Sequence, residues 1–194
     1  MFLIPLDGNW IPIYILWKLC QLVNSMLLEI EPLTREAFAP YGDVIEKFGA
    51  LCFETNGGQA LRYHDLARLE GAKQGRCPLL SIFHARPYSM PLQIVLMERH
   101  PLSSQAFVPI NGTQFIVIVG EASTKPTGEH LRGFVTNGIQ GVNYRPGTWH
   151  HPLVTLTEGD YLVVDHTGPG QDFNQDYEEI LFERGEIVLN NPTM

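Results

Sequence analysis

The sequence predicts an all-β domain, and two observations carry that expectation. Apolar runs and alternations rich in β-branched and aromatic residues recur at Leu79–His84, Leu92–Arg99, Gln105–Ile110, Phe115–Val119, Leu131–Thr136, Gly141–Tyr144, Leu153–Thr157 and Tyr161–Asp165. Turn signals separate them: Arg86-Pro87, Pro101 to Ser104, Asn111-Gly112, Asn137-Gly138, Pro146-Gly147 and Glu158-Gly159-Asp160. Short strands at roughly 8–12-residue spacing make a sandwich or a barrel. The second observation is that no helical period interrupts residues 79–165.

The flanks are read in order. Thr34 can cap a short helix through Phe38, which Pro40 and Gly42 stop. Residues 43–78 are mixed, with a turn at Asn56-Gly57-Gly58. After Asp165 the segment HTGPGQDFNQDYEE is polar and glycine-bearing and reads as a loop, and Glu179–Phe182 reads as a last strand. With no internal repeat and no linker, residues 26–194 make a single domain.

Residues 1–25 are expected to be an extension outside that fold, with Met26 as the true start. Their apolar stretch, Ile11–Val23, contains Lys18 and Pro12. It is shorter than the ~20 residues a membrane helix needs. Asp7 precedes it, where a signal peptide would carry positive charge. A short amphipathic anchor is the alternative.

The net charge of −8 argues against a nucleic-acid partner and means that an anionic substrate would need a local cation. Cys20, Cys52 and Cys77 are odd in number and widely spaced, as expected of free thiols in a reducing cytoplasm.

Two segments could carry chemistry. In MERHPLSSQAFVPING, residues 97–112, Glu98 and His100 are two apart on one strand and so share a face. An antiparallel return through Pro101 to Ser104 would bring Gln105 beside them. Taken singly, each is also what a half-buried sheet presents to solvent. In TNGIQGVNYRPGTWHHPL, residues 136–153, His150 and His151 are adjacent and point to opposite faces of a strand, with Trp149 on the side of His151. An interior imidazole needs a ligand or a hydrogen-bond partner, which a backbone carbonyl also satisfies.

Together these segments resemble the two cupin motifs. Gln105 and Gly112 keep the acid-to-glycine spacing of the first motif, and Gly147 and His150 keep the glycine-to-histidine spacing of the second. The resemblance implies a ligand set of Glu98, His100, Gln105 and His150, suited to a divalent ion such as nickel, manganese, iron or zinc. It also puts His150 inside, unless a bulge at Pro146-Gly147 exchanges the faces.

Longer blocks are more specific. PLTREAFAPYGDVIE at 32–46, RYHDLARLE at 62–70, ERHPLSSQAFVPI at 98–110 and NGIQGVNYRPGTWHHPL at 137–153 are similar to the ureidoglycolate lyase (ureidoglycolate hydrolase) family. That resemblance implies a cupin-type double-stranded β-helix, or jelly-roll barrel, with a short N-terminal helix. It implies a cytoplasmic homodimer that cleaves (S)-ureidoglycolate to glyoxylate and urea in allantoin and purine catabolism. The candidate catalytic residues are His100, Glu98, His150 and His64. Those for binding substrate are Arg62, Gln105, Asn143 and Tyr144, with Arg62 or Arg145 holding the carboxylate. Residues 1–25 have no counterpart in the family, and Asp165-His166 stands where the family reads aspartate-arginine. The competing readings are another metal-dependent cupin enzyme, or a non-catalytic sensor of small acids on the same barrel.

Overall fold

Thr34 starts the one α-helix found among the described residues. Its hydroxyl accepts from Ala37 N at 3.1 Å, which caps α1 (Arg35–Phe38). Such a cap contributes about 1 kcal/mol. The structure is a computed structural model, and it describes residues 3–6, 9–12, 25–71, 76–123, 125–167 and 176–190.

Two mostly antiparallel sheets follow. The larger runs, in spatial order, through β18 (Glu178–Leu181), β10 (Leu96–Arg99), β15 (Trp149–His150), β12 (Phe115–Gly120), β13 (Arg132–Val135) and β4 (Ile30–Pro32). β16 (Val154–Thr155) continues beside β12 where β15 ends. The second sheet runs through β5 (Gly42–Ile45), β14 (Gly141–Tyr144), β11 (Gln105–Pro109), β17 (Gly159–Thr167) and β8 (Cys77–Ala85). Phe115, Val117, Val119 and Phe134 of the first pack against Phe107, Val142, Tyr144, Tyr161 and Val163 of the second, with Phe38 of the helix closing one end. The result is a cupin-type β-barrel, as the resemblance implies.

A third layer explains why β12 is buried on both faces. β3 (Met26–Leu27), β19 (Ile187–Leu189) and β9 (Leu92–Gln93) form a small sheet. With Ile94 they cover Ile116 and Ile118, the residues that alternate outward from the barrel, together with Met97 and Trp149. Each large aliphatic side chain so covered contributes roughly 1.5–3 kcal/mol.

One expected strand is divided by this layer. The run Leu92–Arg99 is not one strand: β9 and β10 belong to different sheets, because Ile94 crosses between them into the second core. The mixed stretch 43–78 contains a hairpin, β6 (Leu51–Thr55) with β7 (Ala60–His64), turned at Asn56–Gly58 where Gly57 has φ 65°. Its exposed Leu51, Phe53 and Leu61 sit on both faces, so it shows no alternation. β1 (Leu3–Leu6) and β2 (Asn9–Pro12) pair only with each other among the described strands. The rest of the apolar stretch Ile11–Val23, Cys20 and most of the expected loop after Asp165 lie outside the described residues.

Candidate active site

Strand alternation builds the site. On β10, Met97 points out into the second core, Glu98 points into the barrel, and Arg99 points out again, its guanidinium 4.4 Å from the Trp149 ring centre. On β15, Trp149 lies in the outer core and His150 faces the interior, and the register pairs Glu98 with His150. The turn that launches β15 needs Gly147, whose φ of 80° is left-handed, and its N–H donates to the His100 carbonyl at 2.7 Å. No bulge exchanges the faces. His151 lies beyond the end of β15. Its Nδ1–H donates to the Pro152 carbonyl at 2.8 Å and its ring meets Tyr88.

The ligand-capable atoms of Glu98, His100 and His150 all lie within 4.8 Å of one another. His150 Nε2 is 3.5 Å from a Glu98 oxygen and 3.1 Å from Gln105 Oε1. So the four residues expected to gather do gather, but by another route for Gln105. β10 and β11 belong to opposite sheets, and no antiparallel return joins them. The connecting residues cross the barrel end instead, held by Ser104 N–H to the Glu70 carbonyl and Glu70 N–H to Ser104 Oγ, each 2.8 Å. Gln105 therefore faces Glu98 across the interior rather than beside it.

The tautomers follow from the partners. His100 Nδ1–H donates to the Asp176 carbonyl at 2.6 Å, and His150 Nδ1–H donates to the Thr148 carbonyl at 2.9 Å. A carbonyl only accepts, so Nδ1 carries the proton in each ring; in the neutral His100 ring Nε2 is then a bare lone pair, whereas His150 Nε2 faces two acceptors, Gln105 Oε1 and a Glu98 oxygen. His100 Nε2 is buried without a hydrogen-bond partner. The His100 lone pair, a carboxylate and an amide oxygen thus converge around His150 Nε2. That arrangement accommodates a cation, whether a proton or a metal ion, and backbone-anchored imidazoles are how metal ligands are usually oriented. The donor set fits a divalent ion of the nickel, manganese or zinc kind.

Burial and neighbours set the charges. Burial pushes Glu98 up, but the His150, His100 and His151 imidazoles more than offset it and hold the carboxyl below its ordinary value. Burial, with repulsion from His150, holds His100 below its ordinary value. Burial raises the Tyr144 phenol, which stays protonated. Asp165 is also raised by burial, and one of its oxygens is buried with no hydrogen-bond partner.

The other expected site residues divide. Tyr144 is in the site, its ring flat on His150 with centroids 4.2 Å apart and planes at 12°. Asn143, next to it, points to the other face of the second sheet, where its amide donates to Asp43 and to the Arg68 carbonyl at 3.1 Å each. Arg62 and His64 lie on the exposed hairpin, both against Phe53, and make no contact with the Glu98 cluster. Arg145 is exposed. His166 is buried, its Nδ1 donating to the Ser104 carbonyl at 3.2 Å.

The cluster opens on a cavity of about 670 Å³ whose wall includes Phe83, Arg86, Tyr88, Glu98, His100 and Gln105. Arg86 and Tyr88 are residues that sequence reasoning missed. Arg86-Pro87 carried only a turn signal. Among the described residues Arg86 has no ion-pair or hydrogen-bond partner, whereas Arg99 is paired with Glu178 at 2.5 Å.

Fold and site together define a cupin-type barrel enzyme with a carboxylate–imidazole cluster in its interior. Residues 25–189 match the family model described as ureidoglycolate lyase. A ureidoglycolate lyase of Burkholderia mallei (strain NCTC 10229) is 48% identical over 164 residues, covering 84% of this chain and 96% of that protein. One from Pseudomonas fluorescens (strain SBW25) is 47% identical over 166 residues, covering 85% and 97%. One from Pseudomonas aeruginosa (strain UCBPP-PA14) is 46% identical over 166 residues, covering 85% and 96%. The chain belongs to the ureidoglycolate lyase family.

Proposed function

We propose that this chain is a carbon–nitrogen lyase that cleaves (S)-ureidoglycolate to glyoxylate and urea, late in allantoin and purine breakdown. The observation that carries the reading is the convergence of Glu98, His100 and His150 in a barrel of this family.

Ureidoglycolate is a hemiaminal beside a carboxylate. Its collapse moves a proton from the hydroxyl to the departing nitrogen, makes the aldehyde C=O and breaks the C–N bond. Glu98, held ionised by the surrounding imidazoles, takes the hydroxyl proton and returns it to the urea nitrogen. Gln105 and the protonated Tyr144 phenol supply polar contacts to the ureido group. Arg86 holds the carboxylate, because it is the guanidinium on the cavity wall that no acid among the described residues engages. Glu98, His100, Gln105 and His150 would hold a divalent ion. When bound, such an ion would polarise the hydroxyl and lower its pKa.

Three further parts belong to this reading. The chain works as a homodimer, with Leu80 and Ile82 on the open edge strand β8 as apolar interface positions, 74% and 66% exposed. It works in the cytoplasm, where its exposed free Cys52 and Cys77 stay reduced. Residues 25–189 suffice for the fold and the reaction, since they are what the family shares. Among the described residues no helix is long and apolar enough to cross a membrane.

The test is incubation of purified protein with racemic ureidoglycolate. Glyoxylate and urea should appear well above the spontaneous rate, from half of the substrate. Release at the spontaneous rate, with and without added nickel, manganese or zinc, would overturn the assignment.

A further inference from the structure

Asp176 lies at the start of the last described segment, remote in sequence from every site residue. Its carboxylate is buried, 3% exposed. One oxygen accepts from Leu102 N–H at 2.6 Å, the other from the Ser103 hydroxyl, and the buried Arg76 guanidinium stands 3.7 Å away. Its own main-chain carbonyl is the acceptor for His100 Nδ1–H at 2.6 Å. So one residue grips the two residues after Pro101 through its side chain and grips His100 through its backbone. The buried carboxylate ties that carbonyl to the same turn that carries the imidazole.

We propose that Asp176 is a positioning residue for His100. By locking its own carbonyl against the 100–103 turn, it fixes His100 as the Nδ1–H tautomer and leaves the Nε2 lone pair facing Glu98 and His150. Ser103 and Arg76 are the struts of this clamp. Arg76 also balances the buried charge, since a buried carboxylate without a cation or donors is costly. The inference rests on His100 belonging to the site, as proposed above, but it concerns the geometry of one ring and not the reaction. It also accounts for the orphaned Nε2. A ring with its other nitrogen anchored this firmly cannot turn its Nε2 toward a hydrogen-bond donor elsewhere, so that lone pair stays available to a ligand.

The experiment uses full-length protein labelled with ¹⁵N-histidine at neutral pH without metal, with the His100 signals assigned by their loss in His100→Ala. In the wild type His100 should show one protonated and one bare nitrogen, the pattern of a single neutral tautomer. In Asp176→Ala the two nitrogen shifts should move toward each other as the tautomers mix, while His150 stays unchanged. Nickel affinity, measured by calorimetry, should fall about 10–100-fold. Asp176→Asn, which keeps an acceptor for Leu102 N–H or Ser103, should restore most of the single-tautomer pattern. Unchanged His100 shifts in a folded Asp176→Ala protein would overturn the proposal. If that variant does not fold, Ser103→Ala removes one strut only. It should shift the His100 nitrogens part of the way, and unchanged shifts there would equally overturn it. A wild type without lyase activity but with this tautomer pattern would sink the proposed reaction and leave the clamp standing.

Discussion

The Tyr144 ring lies flat on the His150 imidazole, 4.2 Å away, from the opposite sheet of the barrel. The stack and the Nδ1–H bond to the Thr148 carbonyl fix both the plane and the rotation of His150. His150→Ala should therefore abolish turnover and nickel binding while the barrel stays folded. His151→Ala, outside the cluster, should chiefly lower the melting temperature. Comparing kcat and Tm for the two variants checks this, and reversed effects would put His151 in the role of His150.

His100 carries a bare Nε2 inside the cluster. Its replacement by Ala should cost at least ~10²-fold in kcat, the usual scale for loss of a proton-handling or metal-orienting group. A folded His100→Ala enzyme with normal kcat would remove the residue from the site.

Arg86 is the guanidinium on the cavity wall without an ion-pair partner among the described residues, and Arg62 lies on the hairpin. A charge-assisted contact of about 1.5–3 kcal/mol corresponds to roughly a 10–100-fold change in binding. Arg86→Ala should raise KM and weaken inhibition by glyoxylate on that scale, with Arg86→Lys intermediate. Arg62→Ala should change KM much less. A larger effect at Arg62 would mean that the hairpin reaches a cavity, its own or a second copy's.

His84, on the cavity rim, is held between Asp160 at 2.7 Å and Glu158 at 2.9 Å, and those carboxylates raise its pKa above the ordinary 6.5. A raised folded-state pKa stabilises the fold below the unfolded value, and that contribution is lost as pH rises through the folded value. The His84 proton signal should titrate above pH 6.5. His84→Asn should flatten the decline in stability on the alkaline side of that point. A titration at or below 6.5 would show that solvent screens the two acids completely.

A chain beginning at Met26 should fold and turn over substrate like the full chain, because the family match covers residues 25–189. Loss of soluble, active protein on that truncation would give residues 1–25 a part in the fold.

Local periodicity determined much of this protein. Alternation along 97–99 and 149–150 is a property of adjacent residues, so the sequence separates Glu98 from Met97 and His150 from Trp149, while the cupin resemblance selects His150 as the inward one. The Thr34 cap and the Asn56–Gly58 turn are equally local. The same alternation, applied to Val142, Asn143 and Tyr144, already turns Asn143 away from the interior once Tyr144 faces it. Pairings between distant segments were decided only by tertiary packing. Gln105 meets His150 across two sheets, and Asp176 returns from near the end of the chain to hold His100. Arg86 is left facing a cavity, while Arg62 and His64 lie on the β6–β7 hairpin against Phe53. No short window of sequence records which strand edge closes against which. That choice is made by how the two cores fill.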